Sequence, residues 1–299
     1  MEDVVKIDNS KYPKLLRELG KDAPKQLYYK GNWPFDTAQG KDDIFENCLA
    51  VVGSRRMTSY GRQITEKLVS EIAVKGVTIV SGFMYGIDSQ AHKAALQAGG
   101  RTIAVMPCGI DLIHPDYQED LYKEILDNKG LVISEYEGNF LPTLWTYPRR
   151  NRIVAGLSKA VMVVEAGEKS GSLITANFAK KYKRKVFVVP GPLTSSLSVG
   201  IGQLIKEGAE VVTGAGDVLD FFGRGEVSSP NQNKGRETPP LQGLSLMEQR
   251  IIEKLQQESM EIDVLSRMLG VSAAQIGTVV SLMQIKGLIF GENGKFYIR

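Results

Sequence analysis

The sequence predicts an α/β protein: an extended Rossmann-like, doubly wound and mostly parallel sheet, followed by a small C-terminal winged helix-turn-helix domain. Short apolar runs rich in β-branched residues alternate with helical periods between residues 49 and 222. Many of these runs end in glycine, and glycine makes up 31 of the 299 residues. A glycine- and proline-rich stretch then precedes three further helical periods and two short strands.

The predicted strands are apolar on both faces, which is typical of parallel strands covered by helices on each side. They lie at residues 49–52, 77–80, 102–106, 131–134, 160–164, 186–189 and 210–212. The helical periods between them lie at residues 60–75, 88–98, 118–127, 172–181 and 200–207. These elements form a sheet domain over residues 49–222, and we expect the lead-in, residues 1–48, to pack on it.

The chain changes composition after the sheet domain. Residues 223–243 contain four glycines and three prolines but few large apolar residues. Such a segment cannot bury enough surface to offset the entropy lost on ordering, so we predict a flexible linker. Residues 244–299 then show helices at 246–256 and 262–269, a third helix capped by Ser272, and a terminal β-hairpin. Three helices followed by a hairpin predict a winged helix.

Composition excludes several classes of protein. The two cysteines, Cys48 and Cys108, lie far apart and predict no disulfide framework. The two histidines, His92 and His114, are too few for a histidine-rich metal site, and no carboxylate is placed to make His92 a catalytic base. No signal peptide or membrane span is visible, which predicts a cytoplasmic protein. The net charge of +3 is too small to indicate nucleic-acid binding through bulk charge.

The first candidate site is the turn Gly53-Ser54-Arg55-Arg56, which follows a strand and precedes a helix. Free N–H groups at a helix start attract anions, and Arg55 adds a donor fork suited to phosphate. The spacing is not that of a dinucleotide-binding turn, and Ser81-Gly82 stands where an acidic residue would meet a ribose, so no such cofactor is expected. The alternative is a tight turn with a solvated arginine.

The second candidate is the segment after the strand at 160–164, where Ser170 and Ser172 flank Gly171 at the start of a helix. In a parallel sheet this turn opens on the same edge as Gly53, and its backbone N–H groups could form an anion nest. The alternative is an ordinary helix cap made by Ser170.

The third candidate is an arginine cluster that we place in a turn before the strand at 160–164. It contains Tyr147, Arg149, Arg150, Asn151 and Arg152. Arginines beside an aromatic side chain are the pattern for phosphate contacts combined with base stacking. The alternative is a solvated charge run.

These motifs together resemble the DprA family of DNA-processing proteins, also called Smf. The resemblance is carried by Gly53-Ser54-Arg55, Ser81-Gly82, Gly86-Ile87-Asp88, the segment 150–158 and the segment 165–176, in consistent order over residues 7–222. It implies a single-stranded-DNA-binding recombination mediator without enzymatic activity, cofactor or metal. Such proteins protect incoming DNA during natural transformation, load the RecA recombinase and act as homodimers.

The resemblance also implies a DNA pocket around the first turn. The expected DNA- or phosphate-binding residues are Gly53, Ser54, Arg55, Ser81, Gly82, Tyr147, Arg149, Asn151, Arg152, Ser170, Gly171 and Ser172. The sequence departs from the family pattern in three places. Tyr85 stands where arginine is frequent, His114 replaces a tyrosine, and Leu144 stands where a lysine is usual.

Two alternatives come from other classes of protein. A nucleotide-processing enzyme of the related phosphoribohydrolase superfamily would use Glu165, but the expected glycine-rich string with a following glutamate is absent. A transcription regulator would act through the winged helix. Residues 272–285 contain no lysine or arginine, and residues 241–299 carry six basic and six acidic side chains. We therefore predict that the tail contacts protein, or contacts DNA only weakly.

Overall fold

A computed structural model describes residues 3–31, 33–34, 43–223, 246–255, 260–285, 288–292 and 295–298. The chain divides into two compact units, Met1–Ser228 and Ser229–Arg299. The linker predicted at residues 223–243 lies almost wholly outside the described residues.

The first unit is built on a sheet that has nine strands within the described residues. In chain order they are β1 (Val4–Lys6), β2 (Gln26–Gly31), β3 (Cys48–Val52), β4 (Thr78–Ser81), β5 (Thr102–Gly109), β6 (Leu131–Tyr136), β7 (Ala160–Val163), β8 (Lys185–Val188) and β9 (Glu210–Val211). Their order across the sheet is β1-β2-β6-β5-β4-β3-β7-β8-β9. Strands β3 to β9 are parallel, whereas β1 and β2, from the lead-in, join one edge antiparallel.

Helices cover both faces of this sheet. They are α1 (Lys14–Arg17), α2 (Ser59–Val74), α3 (Ile87–Gln97), α4 (Glu119–Asp127), α5 (Thr146–Leu157), α6 (Gly171–Lys181), α7 (Val199–Lys206) and α8 (Ala215–Phe221). One face packs against α1, α5, α6 and α7, and the other against α2, α3, α4 and α8. Because both faces are covered, every residue of β3 and β5 is buried. The doubly wound α/β fold is confirmed.

Three helices of the first unit are absent from the sequence prediction. Helix α1 lies in the lead-in, α8 follows the strand β9, and α5 contains the arginine cluster that we placed in a turn. That placement was wrong. Pro148 occupies the first turn of α5, where a missing backbone N–H costs nothing, so the proline starts the helix rather than breaking it.

The second unit contains the expected helices and hairpin. Helices α9 (Leu246–Leu255), α10 (Ile262–Leu269) and α11 (Ala273–Ile285) enclose an apolar cluster that includes Leu265, Ile276 and Val280. Helix α10 ends at Gly270, whose φ of 68° lies in the left-handed region. Strands β10 (Ile289–Glu292) and β11 (Lys295–Ile298) pair antiparallel, with Phe290 opposite Tyr297. This is the arrangement of a winged helix.

No helix in the described part of the chain is both long and apolar enough to cross a lipid bilayer.

Candidate functional site

A cleft of the first unit lies where the chain reverses its direction across the sheet. From β3 the chain proceeds to β4, β5 and β6 on one side, and later to β7 and β8 on the other. The loops after β3 and β7 therefore diverge and leave a crevice at the carboxyl edge, the usual ligand position in such sheets. This first cleft has a volume of about 550 Å³ and is lined by the turn after β3, the starts of α3 and α6, and one side of α5.

The turn after β3 is packed tightly against the start of α3. The carbonyl of Ser54 accepts a hydrogen bond from the Ile87 N–H at 3.1 Å, and the Ser54 hydroxyl accepts one from the Arg56 N–H at 3.0 Å. A Cβ atom on Gly53 would lie 2.6 Å from Cγ1 of Ile87. Only glycine fits at this point, so the packing fixes the path of the backbone that carries Arg55 into the cleft.

Arg55 lies between two tyrosine rings. Its Cζ atom is 5.2 Å from the ring centre of Tyr147 and 5.8 Å from that of Tyr85. The hydroxyl of Tyr147 is in turn 2.8 Å from Nε2 of His114. Within the described residues Arg55 has no salt bridge, so its charge is held by cation–π contacts and stays available to a ligand. Tyr85 and His114, two departures from the family pattern, thus both contribute to holding this arginine.

The N-terminus of α6 forms the opposite wall. The Ser170 hydroxyl accepts a hydrogen bond from the Ser172 N–H at 3.4 Å, and the two hydroxyl oxygens are 2.8 Å apart. Asn151 donates from Nδ2 to the Gly171 carbonyl at 3.3 Å, which ties α5 to this wall. Space is open around Gly171, where an added Cβ would meet no atom within 4 Å. The start of α6 lines the cleft, and the positive end of its helix dipole favours an anion there.

Arg150 forms the floor of the cleft rather than a ligand contact. It is 3% exposed, and its Nη1 donates to the carbonyls of Gly82 and Val105. Burial lowers its pKa to about 10, so it stays charged at neutral pH. Asp88 also lines the cleft, and burial raises the pKa of its carboxyl, an effect that the charge of Arg150 opposes. The close approach of the guanidinium explains why residue 82 is glycine.

Both units match family models. Residues 3–223 match the model described as DNA recombination-mediator protein A, and residues 235–295 match the DprA winged helix domain. The chain belongs to the DNA recombination-mediator protein A family. The resemblance of the sequence to DprA and Smf proteins, and the winged helix, are confirmed.

Similarity to individual proteins supports the same family membership. The chain is 32% identical to Protein Smf of Synechocystis sp., over 98% of this chain and 79% of that protein. It is 43% identical to the DNA processing protein DprA of Streptococcus pneumoniae, over 71% of each chain.

Two solved DprA structures share the fold. The X-ray structure of DprA from Streptococcus pneumoniae is 40% identical, with a TM-score of 0.66, and covers 73% of this chain and 74% of that one. The structure of DNA processing protein A from Helicobacter pylori, described for its single-stranded DNA binding mode, is 33% identical. Its TM-score is 0.63, over 75% of this chain and 99% of that chain.

The structure brings most of the expected DprA site residues together in the first cleft. Those that line it are Gly53, Ser54, Arg55, Gly82, Tyr147, Asn151, Ser170, Gly171 and Ser172. Arg56, Tyr85 and Lys169 also line it, although we did not include them among the expected binding residues. Each of them lies in or next to a glycine-containing turn at the carboxyl edge, and this position in the sequence could have indicated them.

Three expected site residues lie elsewhere. Ser81 is buried, and its hydroxyl donates to the Val51 carbonyl at 2.6 Å, so it ties β4 to β3. Arg149 and Arg152 lie on the other flank of α5, where both contact the carboxylate of Glu135. The helical period explains the separation. Residues 147, 150, 151 and 154 share the flank that lines the first cleft, while 149 and 152, three positions apart, share the other.

Glu165 lies outside the first cleft. Its carboxylate accepts a hydrogen bond from the Thr58 N–H at 3.0 Å and one from the Thr58 hydroxyl at 2.5 Å. It is 5% exposed and borders a separate cavity of about 300 Å³. The glutamate therefore stabilises the first turn of α2, and both its oxygens are already engaged. Within the described residues, no group of three or more His, Cys, Asp or Glu side chains is placed to hold a metal ion.

Proposed function

We propose that this chain is a recombination mediator that binds single-stranded DNA in the first cleft. The observation that carries the proposal is Arg55, an exposed guanidinium without a salt bridge in the described part of the chain, held between the rings of Tyr147 and Tyr85. Such an arginine offers its donor edge to phosphate while the neighbouring rings offer faces for base stacking.

Both walls of the first cleft support a phosphate ligand. On one side Arg55 and Arg56 extend from the turn after β3, and on the other Lys169 precedes the N-terminus of α6. An anion between them would meet positive charge from both directions, with Asp88 as the acidic side chain of the lining. The similarity to the Helicobacter pylori protein, described for single-stranded DNA binding, supports DNA as the source of that phosphate.

The proposal involves binding without bond cleavage. A nucleotide-processing enzyme would need a free carboxylate near the ligand, whereas Glu165 is occupied by Thr58 outside the first cleft. The family description as a recombination mediator also supports a binding role. No cofactor is required for it.

We further propose that the chain acts as a cytoplasmic homodimer that loads the RecA recombinase onto the bound DNA. Family membership supports these partners. A dimer would present two copies of the first cleft to one strand, and linked sites raise the effective affinity without new contacts. Sedimentation of the full chain, with and without RecA, measures both associations.

Arg55→Ala tests the function. We expect binding of a single-stranded oligonucleotide to weaken about tenfold, ~1.4 kcal/mol, for every base sequence. The dependence of log affinity on log salt should flatten by about 0.7, the value for one lost phosphate contact on a single strand. Fluorescence anisotropy with labelled oligonucleotides at several salt concentrations measures both quantities.

Arg62→Ala is the matched control, because Arg62 is an exposed arginine on α2 that lines none of the clefts described. It should leave affinity and salt dependence unchanged. Equal and weak binding of single- and double-stranded oligonucleotides by the unaltered chain would refute the proposed function.

A further inference from the structure

A second cleft lies on the other flank of α5. It has a volume of about 690 Å³ and lies at the carboxyl end of β6 and the start of β2. Its lining consists of Lys21, Asp22, Ala23, Lys25, Gln26, Glu135, Arg149 and Arg152. Because β6 is parallel to β3 and β7, this cleft opens on the same sheet edge as the first cleft, with the N-terminal half of α5 between them.

The second cleft carries more positive charge than its acidic side chains neutralise. One carboxylate, Glu135, serves two guanidinium groups: Arg149 Nε lies 3.2 Å from Oε2 and Arg152 Nη2 lies 2.5 Å from Oε1. This trio therefore has a formal charge of +1. Arg152 is 8% exposed, and its Nη1 is buried without a hydrogen-bond partner, so a donor of this guanidinium is unused.

The remaining charges of the second cleft add to this excess. Asp22 is already engaged by the ammonium of Lys181 and by the Tyr182 hydroxyl. Lys21 and Lys25 are exposed, and neither forms a salt bridge within the described residues. The cleft thus contains two ammonium groups without a salt bridge in the described part of the chain, together with the positively charged trio of Glu135, Arg149 and Arg152. This arrangement suits a ligand with more than one negative charge.

Exposed aromatic rings adjoin this positive charge. Trp145, the residue before α5, is 50% exposed, and the guanidinium of Arg149 lies 5.7 Å from its ring centre. Phe140 is 40% exposed and stacks on Tyr136 with ring centres 4.7 Å apart. Basic groups beside exposed rings are the pattern of single-stranded nucleic-acid binding, because phosphates and unpaired bases alternate along the strand.

We propose that the second cleft is an additional subsite for single-stranded DNA. The strand would continue from the first cleft across the N-terminal turn of α5, with phosphates near Lys21 and Lys25 and a base on Trp145. This inference rests on the proposed function of the first cleft. It predicts that a short strand contacts only the first cleft, whereas a longer strand also contacts the second cleft.

The double substitution Lys21→Ala/Lys25→Ala tests the second subsite, since both side chains are exposed and the fold does not depend on them. With oligo-dT of about 6 nucleotides, which fills one cleft, we expect unchanged affinity; with about 20 nucleotides we expect about tenfold weaker binding. The salt slope for the longer strand should flatten by about 1.4, twice the value for one phosphate contact. The control Lys67→Ala/Lys206→Ala removes two exposed lysines that lie away from both clefts. It should change neither the affinity nor the salt slope.

Tryptophan fluorescence gives a second readout. Trp33 is buried and Trp145 is exposed, so stacking of a base should quench the signal of Trp145 with the long strand and leave it unchanged with the short one. Trp145→Phe should abolish the quenching.

Two outcomes would overturn the second subsite while leaving the first intact. One is equal affinity of the double variant and the unaltered chain for the long strand, and the other is an equal loss of affinity for the short and the long strand. Equal and weak binding of single- and double-stranded oligonucleotides by the unaltered chain would instead refute the proposed function, and the second subsite with it.

Discussion

At the scale of single residues, His92 shows how burial decides the chemistry of a polar side chain. Its Nδ1 lies 2.6 Å from the Thr102 hydroxyl, which itself donates to the Ile79 carbonyl at 2.8 Å. Because the hydroxyl proton is used there, Nδ1 carries a proton and donates it to the hydroxyl oxygen. Burial, assisted by the positive charge of Arg150, lowers the pKa of His92 to about 3. The residue is thus a packed histidine.

This assignment predicts a pH dependence of stability. In the unfolded chain His92 binds a proton below about pH 6.5, whereas in the folded chain it does so only near pH 3. Its contribution to the free energy of unfolding is therefore complete above about pH 6.5 and falls as pH decreases, by at most ~1.4 kcal/mol per pH unit.

Nuclear magnetic resonance measures the folded-state pKa directly, since the chain has two histidines and His114→Gln leaves one signal. We expect no titration of His92 between pH 8 and pH 5. A midpoint near pH 6.5 would contradict the burial argument.

At the scale of elements, the helix α5 determines what the arginine cluster can do. Read as a turn, Tyr147, Arg149, Asn151 and Arg152 seemed to form one phosphate-binding group. As a helix, the same residues divide between two clefts, and Arg150 passes underneath to bond two backbone carbonyls. The sequence could not indicate this, because polar side chains occur on both flanks of α5 and hide the helical period.

The strands and most helices were predictable for the opposite reason. Strands such as β3 and β5 are buried on both faces, so apolar runs mark them clearly. Glycines at strand ends marked the turns of the first cleft. Contacts that depend on tertiary packing, such as those of Tyr85 and His114 around Arg55, have no local signal in the sequence.

The turn that holds Arg55 depends on Gly86. Its φ is 83°, in the left-handed region, and an added Cβ would lie 2.3 Å from the Ser54 carbonyl oxygen and 2.6 Å from that of Arg55. We expect Gly86→Ala to lower the free energy of unfolding by about 1–3 kcal/mol or more and to weaken DNA binding by moving the turn.

Urea denaturation measures the loss of stability. Gly202→Ala is the matched control, because an added Cβ within α7 would meet nothing within 4 Å. It should raise stability by up to about 1 kcal/mol through helix propensity. Equal stabilities of the Gly86 variant and the unaltered chain would show that the close approach is relieved elsewhere.

At the scale of the whole molecule, the two units differ in how they could meet DNA. In the first unit one sheet edge collects the turn after β3, the start of α6 and both flanks of α5, so a chain with a net charge of only +3 has concentrated positive clefts. In the second unit α11 lies within residues 272–285, which contain neither lysine nor arginine. A helix that enters a DNA groove normally carries such groups.

The charge distribution predicts that the first unit binds single-stranded DNA without the winged helix. Deleting residues 224–299 keeps all residues of both clefts and removes a segment whose last 59 positions, 241–299, have balanced charge. We expect the affinity for single-stranded oligonucleotides to change by less than about tenfold, ~1.4 kcal/mol, and the salt slope to stay constant.

Anisotropy titrations of the full and shortened chains make the comparison, with circular dichroism to verify that the shortened chain folds. A larger loss from the folded, shortened chain would place DNA contacts in the winged helix. An unchanged affinity would show that the surface of the winged helix adds nothing to DNA binding, and would support a protein as its partner.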